Sequence, residues 1–186
     1  MTAQDFDVLP SAYNAFEEAF KQGIKVAIVH LNNQDWNWSH RDRGILVSKA
    51  LDHRARNEAV AHCIAHFDLS SSRKGQEALK WVGWRGRLEM DIHSMVAGRM
   101  ISLPALSDAI SLSEDFVDVA ACLGVSEFLL SWRLQYLTDD EIGELPVHAL
   151  NRLQWGPSHD TVVPTGCGWP PPGTGDMYLQ IAKHQL

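Results

Sequence analysis

Apolar residues recur along this chain at two spacings, and the change of spacing divides it into elements. Leu9, Tyr13, Phe16, Ala19 and Phe20 fall at helical intervals with Gly23 behind them, which predicts a first helix over 9–22. Ile24–Leu31 (IKVAIVHL) is rich in β-branched residues and reads as a buried strand, and Gly44–Ser48 (GILVS) as a second. Between them, Asn32–Arg43 is polar apart from Trp36 and Trp38 and reads as a turn or hairpin loop. Asp52 is placed to cap a helix running from His53 to Phe67 without Gly or Pro, with Ala59, Val60, Cys63, Ile64 and Phe67 available to the core. Asp68–Gly75 reads as a loop, and Gly83 and Gly86 punctuate the short amphipathic piece that starts at Gln76. Leu88–Leu103 predicts a second strong helix, with Ile92, Met95, Val96, Arg99 and Met100 on one stripe. Pro104 opens a short helix to Ile110. Ser113–Leu123, closed by Gly124, and Ser126–Leu137 follow as helices, and Thr138–Leu145 adds an acidic turn. Beyond Pro146 the periodicity fades, and Gly156–Gly175 reads as irregular. The expected fold class is α+β: a small antiparallel sheet packed against a mainly helical domain over 1–146, followed by a Pro/Gly-rich arm over 147–186.

Composition narrows the function more than the fold. The 186 residues suit one domain with a proper core, and 45% hydrophobic with 21% charged is ordinary for a soluble globular protein. The net charge of -7 argues against a nucleic-acid binder, which needs a basic field. The N-terminus MTAQDFDVLP lacks a cationic start and an apolar core, and no apolar run is long enough to span a bilayer. With that start, the three scattered cysteines Cys63, Cys122 and Cys167 read as reduced thiols, and the expected location is cytoplasmic.

The chemistry concentrates in Ala59–Leu69, AVAHCIAHFDL. His62 and His66 are four residues apart, so on a helix they share a face and can grip one zinc ion through a ring nitrogen each. The spacing is that of the zinc-protease signature H-E-x-x-H, with Cys63 in place of the glutamate that acts there as general base. A catalytic zinc also needs a third protein ligand. Glu89, at the start of the next strong helix, is the best candidate, and a solvated acid at a helix start is the plain alternative for it. His93, one turn on, is placed to orient a ligand histidine or to bind as a fourth ligand and close the site.

Three pieces carry a family resemblance: RGILVSKALDHRARNEAVAHCIAHF (Arg43–Phe67), LEMDIHSMVAGRMI (Leu88–Ile101) and VDVAACLGVSEFLLSWRLQYLT (Val117–Thr138). In order and content they resemble the ImmA/IrrE metallopeptidases of phages, mobile elements and stress-response loci. Ala61 matches the alanine before the histidine motif, Glu89 the glutamate opening the next helix, and Ala97 part of a later alanine pair. The resemblance implies zinc held by His62, His66 and Glu89, and a transcriptional regulator or repressor as the protein partner that is cut. Two positions depart from the family: Cys63 stands at the catalytic glutamate, and His93 where Asp or Asn is usual. A thiol there is too short to serve as the base, and general acid–base help is worth roughly 10²- to 10⁴-fold. The implied protein therefore keeps fold and metal while its proteolysis is weakened or lost.

Two further readings stand beside this one. The first is a catalytically inactive interaction module, with zinc structural or absent; Cys63 as a nucleophile is disfavoured, because a helix interior supplies no oxyanion hole. The second is a helix-turn-helix regulator over 117–136, with Gly124 in the turn. Its reading helix, however, carries Glu127 against Arg133, and Glu114, Asp115 and Asp118 precede it, a poor charge pattern for phosphate.

Overall fold

The computed structural model describes residues 13–32, 34–70, 72–78, 82–157 and 177–181. Along the chain run α1 (Ala15–Lys21), β1 (Lys25–Val29), β2 (Trp36–Ser39), β3 (Gly44–Ser48), α2 (His53–Ser70), α3 (Arg73–Ala78), α4 (Val82–Met100), α5 (Leu103–Leu112), α6 (Phe116–Cys122), α7 (Glu127–Gln135), α8 (Asp139–Glu144), α9 (Val147–Leu150), β4 (Leu153–Pro157) and β5 (Met177–Ile181). The class is α+β, as the sequence pattern implies.

The sheet differs from the expected antiparallel one. It is mixed, in the order β1-β3-β2, with β3 parallel to β1 and antiparallel to β2. β3 takes the middle because Ile45 and Val47 are both fully buried, and a strand buried this way belongs between neighbours rather than at an edge. Trp36 and Trp38, expected in a loop, form β2 and pair with Val47 and Ile45. Strand alternation puts these four side chains on one face of the sheet, the face turned to the helices.

α2 is the central element. Its middle turns bury Ala59, Val60, Ala61, Cys63, Ile64, Ala65 and Phe67, which is more than one stripe, so it is packed on several sides. α1 lies on one flank, α4 on another, and the sheet covers part of the rest. Asp52 caps it as expected, accepting from the Ala55 N–H at 2.7 Å. Asn57 ties it to the start of α1, accepting from Ala15 N–H at 2.8 Å and donating to the Tyr13 carbonyl at 2.7 Å. α2 runs to Ser70, beyond the expected end at Phe67, and Arg99 of α4 meets Asp68 at 2.7 Å across the extension. The expected loop at 68–75 is therefore partly helix, with α3 following.

α4 starts at Val82, so Glu89 lies inside the helix rather than at its start. Helices α5 to α8 begin on side-chain caps from Ser102, Asp115, Ser126 and Thr138, the last in a full capping box with Glu141. Gly124, at φ 66°, makes the turn between α6 and α7. The first expected helix is shorter than its pattern, capped by Asn14, and its residues 9–12 lie outside the described residues. Past Pro146 the folded body continues, because Ala149 of α9 and Leu153 of β4 are buried in the same core. β4 pairs antiparallel with β5. Of the stretch expected to be irregular, Gly156 and Pro157 belong to β4, and 158–175 lies outside the described residues.

Candidate metal centre

The helical rise of α2 stacks His62 under His66 one turn apart, and α4 crosses so that Glu89 faces them both. The two Nε2 atoms are 3.1 Å apart; Glu89 Oε2 is 3.4 Å from His62 Nε2, and Glu89 Oε1 is 3.5 Å from His66 Nε2. Among the described residues, these three alone form a group of His, Cys, Asp and Glu whose ligand atoms all lie within 4.8 Å of one another. The donor set fits zinc. Tetrahedral coordination at metal–donor lengths near 2.0–2.1 Å puts ligand atoms about 3.4 Å apart, close to the three edges found here. The histidine side chains are each 11% exposed and Glu89 is 46% exposed, so solvent reaches the group from the carboxylate side.

Protonation agrees with ligand duty. Burial pushes the His66 imidazole down to about 4, so it is neutral, with a lone pair to give, at neutral pH. Burial pushes the Glu89 carboxyl up, but its hydrogen bond from His62 and the neighbouring His66, His62 and His93 outweigh that and hold it below the usual carboxylate range. At neutral pH it is an anionic oxygen donor.

The other two expected site residues take different places. Cys63 is fully buried, and burial pushes its thiol up to about 12. It is a core side chain that stays protonated at neutral pH, so it offers neither a free base to take a proton nor the thiolate of a nucleophile. His93 stands beside the ligand group rather than in it. Its ring centroid is 5.0 Å from that of His62, and it stacks on Trp132 at 5.1 Å and 29° with Phe128 edge-on. Burial pushes His93 down to about 4.

Sequence reasoning missed the aromatic surround. Trp36 sits 4.9 Å from His62, and Trp38 stacks on His66 at 5.0 Å and 19°. On the far side Trp132 continues the stack from His93 to Tyr136, at 4.9 Å and 11°. The signal was present in Trp36-Asn37-Trp38, whose period of two is that of one strand face. Glu58 was missed as well. One turn before His62, it accepts the Ser126 N–H and, at 2.7 Å, the Ser126 hydroxyl, and so fastens α2 to the start of α7.

Compared with protein-family models, with curated proteins and with solved structures, the chain matches none. Among the described residues, no helix is long and apolar enough to cross a membrane.

Proposed function

We propose that the chain is a zinc-binding protein related to the ImmA/IrrE metallopeptidases, holding the ion with His62, His66 and Glu89 and acting on or binding a transcriptional regulator. The convergence of those three donors from two helices, at separations suited to one small cation, carries the reading. Zinc held by His62, His66 and Glu89 would supply Lewis acidity there. The chain's own contribution there is two imidazole nitrogens, one anionic oxygen and an aromatic surround that limits water.

Proteolysis in this reading is weakened or lost, since a buried neutral thiol at 63 neither takes nor returns a proton at neutral pH. That same observation favours the second reading, an inactive module that engages its partner without cutting it. DNA binding by α6 and α7 is disfavoured, because Arg133, the cation of the reading helix, is only 5% exposed. It donates to the Ile101 carbonyl at 2.9 Å and to both Glu141 oxygens.

The deciding measurement is metal content. Purified protein should carry about one zinc per chain, as a site with three protein ligands does. His62→Ala and Glu89→Ala should lose it while keeping their helical circular dichroism. Folded protein with no zinc, and no uptake from a micromolar supply, would falsify the metal assignment.

A further inference from the structure

Resting on the metal reading just given, we propose that Trp36 and Trp38 are positioning residues for the two imidazole ligands. They fix ring orientation by face contact, a task that falls in most metal sites to hydrogen bonds. A ligand histidine usually donates its remote ring N–H to a carboxylate or carbonyl, which sets its tautomer and points the metal-facing nitrogen. Here the polar contacts of His62 and His66 are made through Nε2, to each other and to Glu89. Among the described residues, neither Nδ1 meets an acceptor.

The rings are held on their faces and edges instead. Trp38 lies over His66 at 5.0 Å and 19°, close to parallel, and Trp36 leans on His62 at 4.9 Å and 44° while also reaching His66 at 6.1 Å. Such a wall can only steer a ligand if it is itself rigid. Both tryptophans sit on β2, in register with Val47 and Ile45, which are fully buried against the helices. The strand period of two matches the one-turn rise of α2 closely enough for each indole to reach one imidazole. Neither indole has a donor for the ion, so both act through the histidines.

Cobalt(II) and zinc binding to the full chain test this. The unmodified protein should bind one cobalt with a ligand-field spectrum of low coordination number. Trp36→Ala and Trp38→Ala should weaken zinc binding, measured against a chromophoric chelator, by roughly 10- to 100-fold, the usual effect of losing a group that orients a ligand. Their cobalt bands should shift as well. Trp36→Phe and Trp38→Phe keep a ring face and should return to within a few-fold of the unmodified affinity. Ile110→Ala truncates the buried core in α5, an element that gives the site no residue, and should bind metal as the unmodified chain does. Unchanged affinity in both tryptophan-to-alanine variants overturns the proposal, as does an equal loss in Ile110→Ala. Those results leave the metal reading standing. If the unmodified chain takes up no metal, that reading falls and this proposal falls with it.

Discussion

At position 63 the chain carries a small thiol packed among Val60, Ile64 and Phe67, one residue along from a proposed ligand. Replacing it by glutamate introduces a group able to take a proton at neutral pH. It also forces a carboxylate into a place that is fully closed to solvent. Burying an unpaired carboxylate is costly, whereas a cation nearby offsets part of the penalty. Cys63→Glu should therefore raise metal-dependent cleavage of the right regulator by roughly 10²- to 10⁴-fold, the scale of general acid–base help. It should also lower the melting temperature, with zinc restoring more of the loss than it does for the unmodified chain. A zymogram and a melting curve, each with and without chelator, check both halves. Robust cleavage by the unmodified chain would refute the role given to this residue.

Among the elements, those that were legible in the sequence have their cause nearby in the chain. α2 was readable because Asp52 caps it and no Gly or Pro interrupts it, and β3 because its apolar run has a glycine before it. β2 was not, since Asn37 and Ser39 dilute its two tryptophans and the pairing that makes it a strand comes from β3. The start of α4 was hidden by Gly83 and Gly86, each worth about 1 kcal/mol against a helix, a penalty that neighbouring elements override. The parallel partnership of β1 and β3 leaves no local mark at all, because no turn joins them directly. Of the candidate site, both imidazoles and the carboxylate were legible, while the indoles and Glu58 depend on contacts between elements. Glu58 is the clearest case, since it answers the start of a helix far along the chain. Removing it leaves the Ser126 N–H and hydroxyl without their acceptor, so Glu58→Ala should cost about 1–3 kcal/mol of unfolding free energy. Hydrogen exchange should rise first in the opening turn of α7. A chemical melt and an exchange map test this, and an unaltered α7 would count against the tie.

For the molecule as a whole, the acid limb of stability should be set in part by the clamp between α7 and α8. Hydrogen bonds from Arg133 hold the Glu141 carboxyl down to about 2, against an ordinary 4.5. A carboxyl lowered on folding adds stability above its unfolded value and surrenders it as the pH falls through the folded value. The contribution should be full above about pH 5 and fade between 4.5 and 2. Glu141→Gln should flatten that part of the stability–pH profile and lower its neutral plateau, because Arg133 then stays buried with its charge unanswered. Urea melts at pH 3 and pH 7 give the comparison, and parallel profiles for the two proteins would exclude the clamp as the source.

The strand order also bears on how the centre is assembled during synthesis. β3 must thread between two strands made before it, so the indole flank is complete only after Ser48 has left the ribosome. Both imidazoles emerge soon afterwards on α2, whereas the carboxylate arrives only with α4. Until then a nascent chain offers two nitrogen donors and no oxygen, too few for firm capture of a cation. If zinc is held as proposed, its firm capture would fall late, once α4 brings the third donor to the two imidazoles.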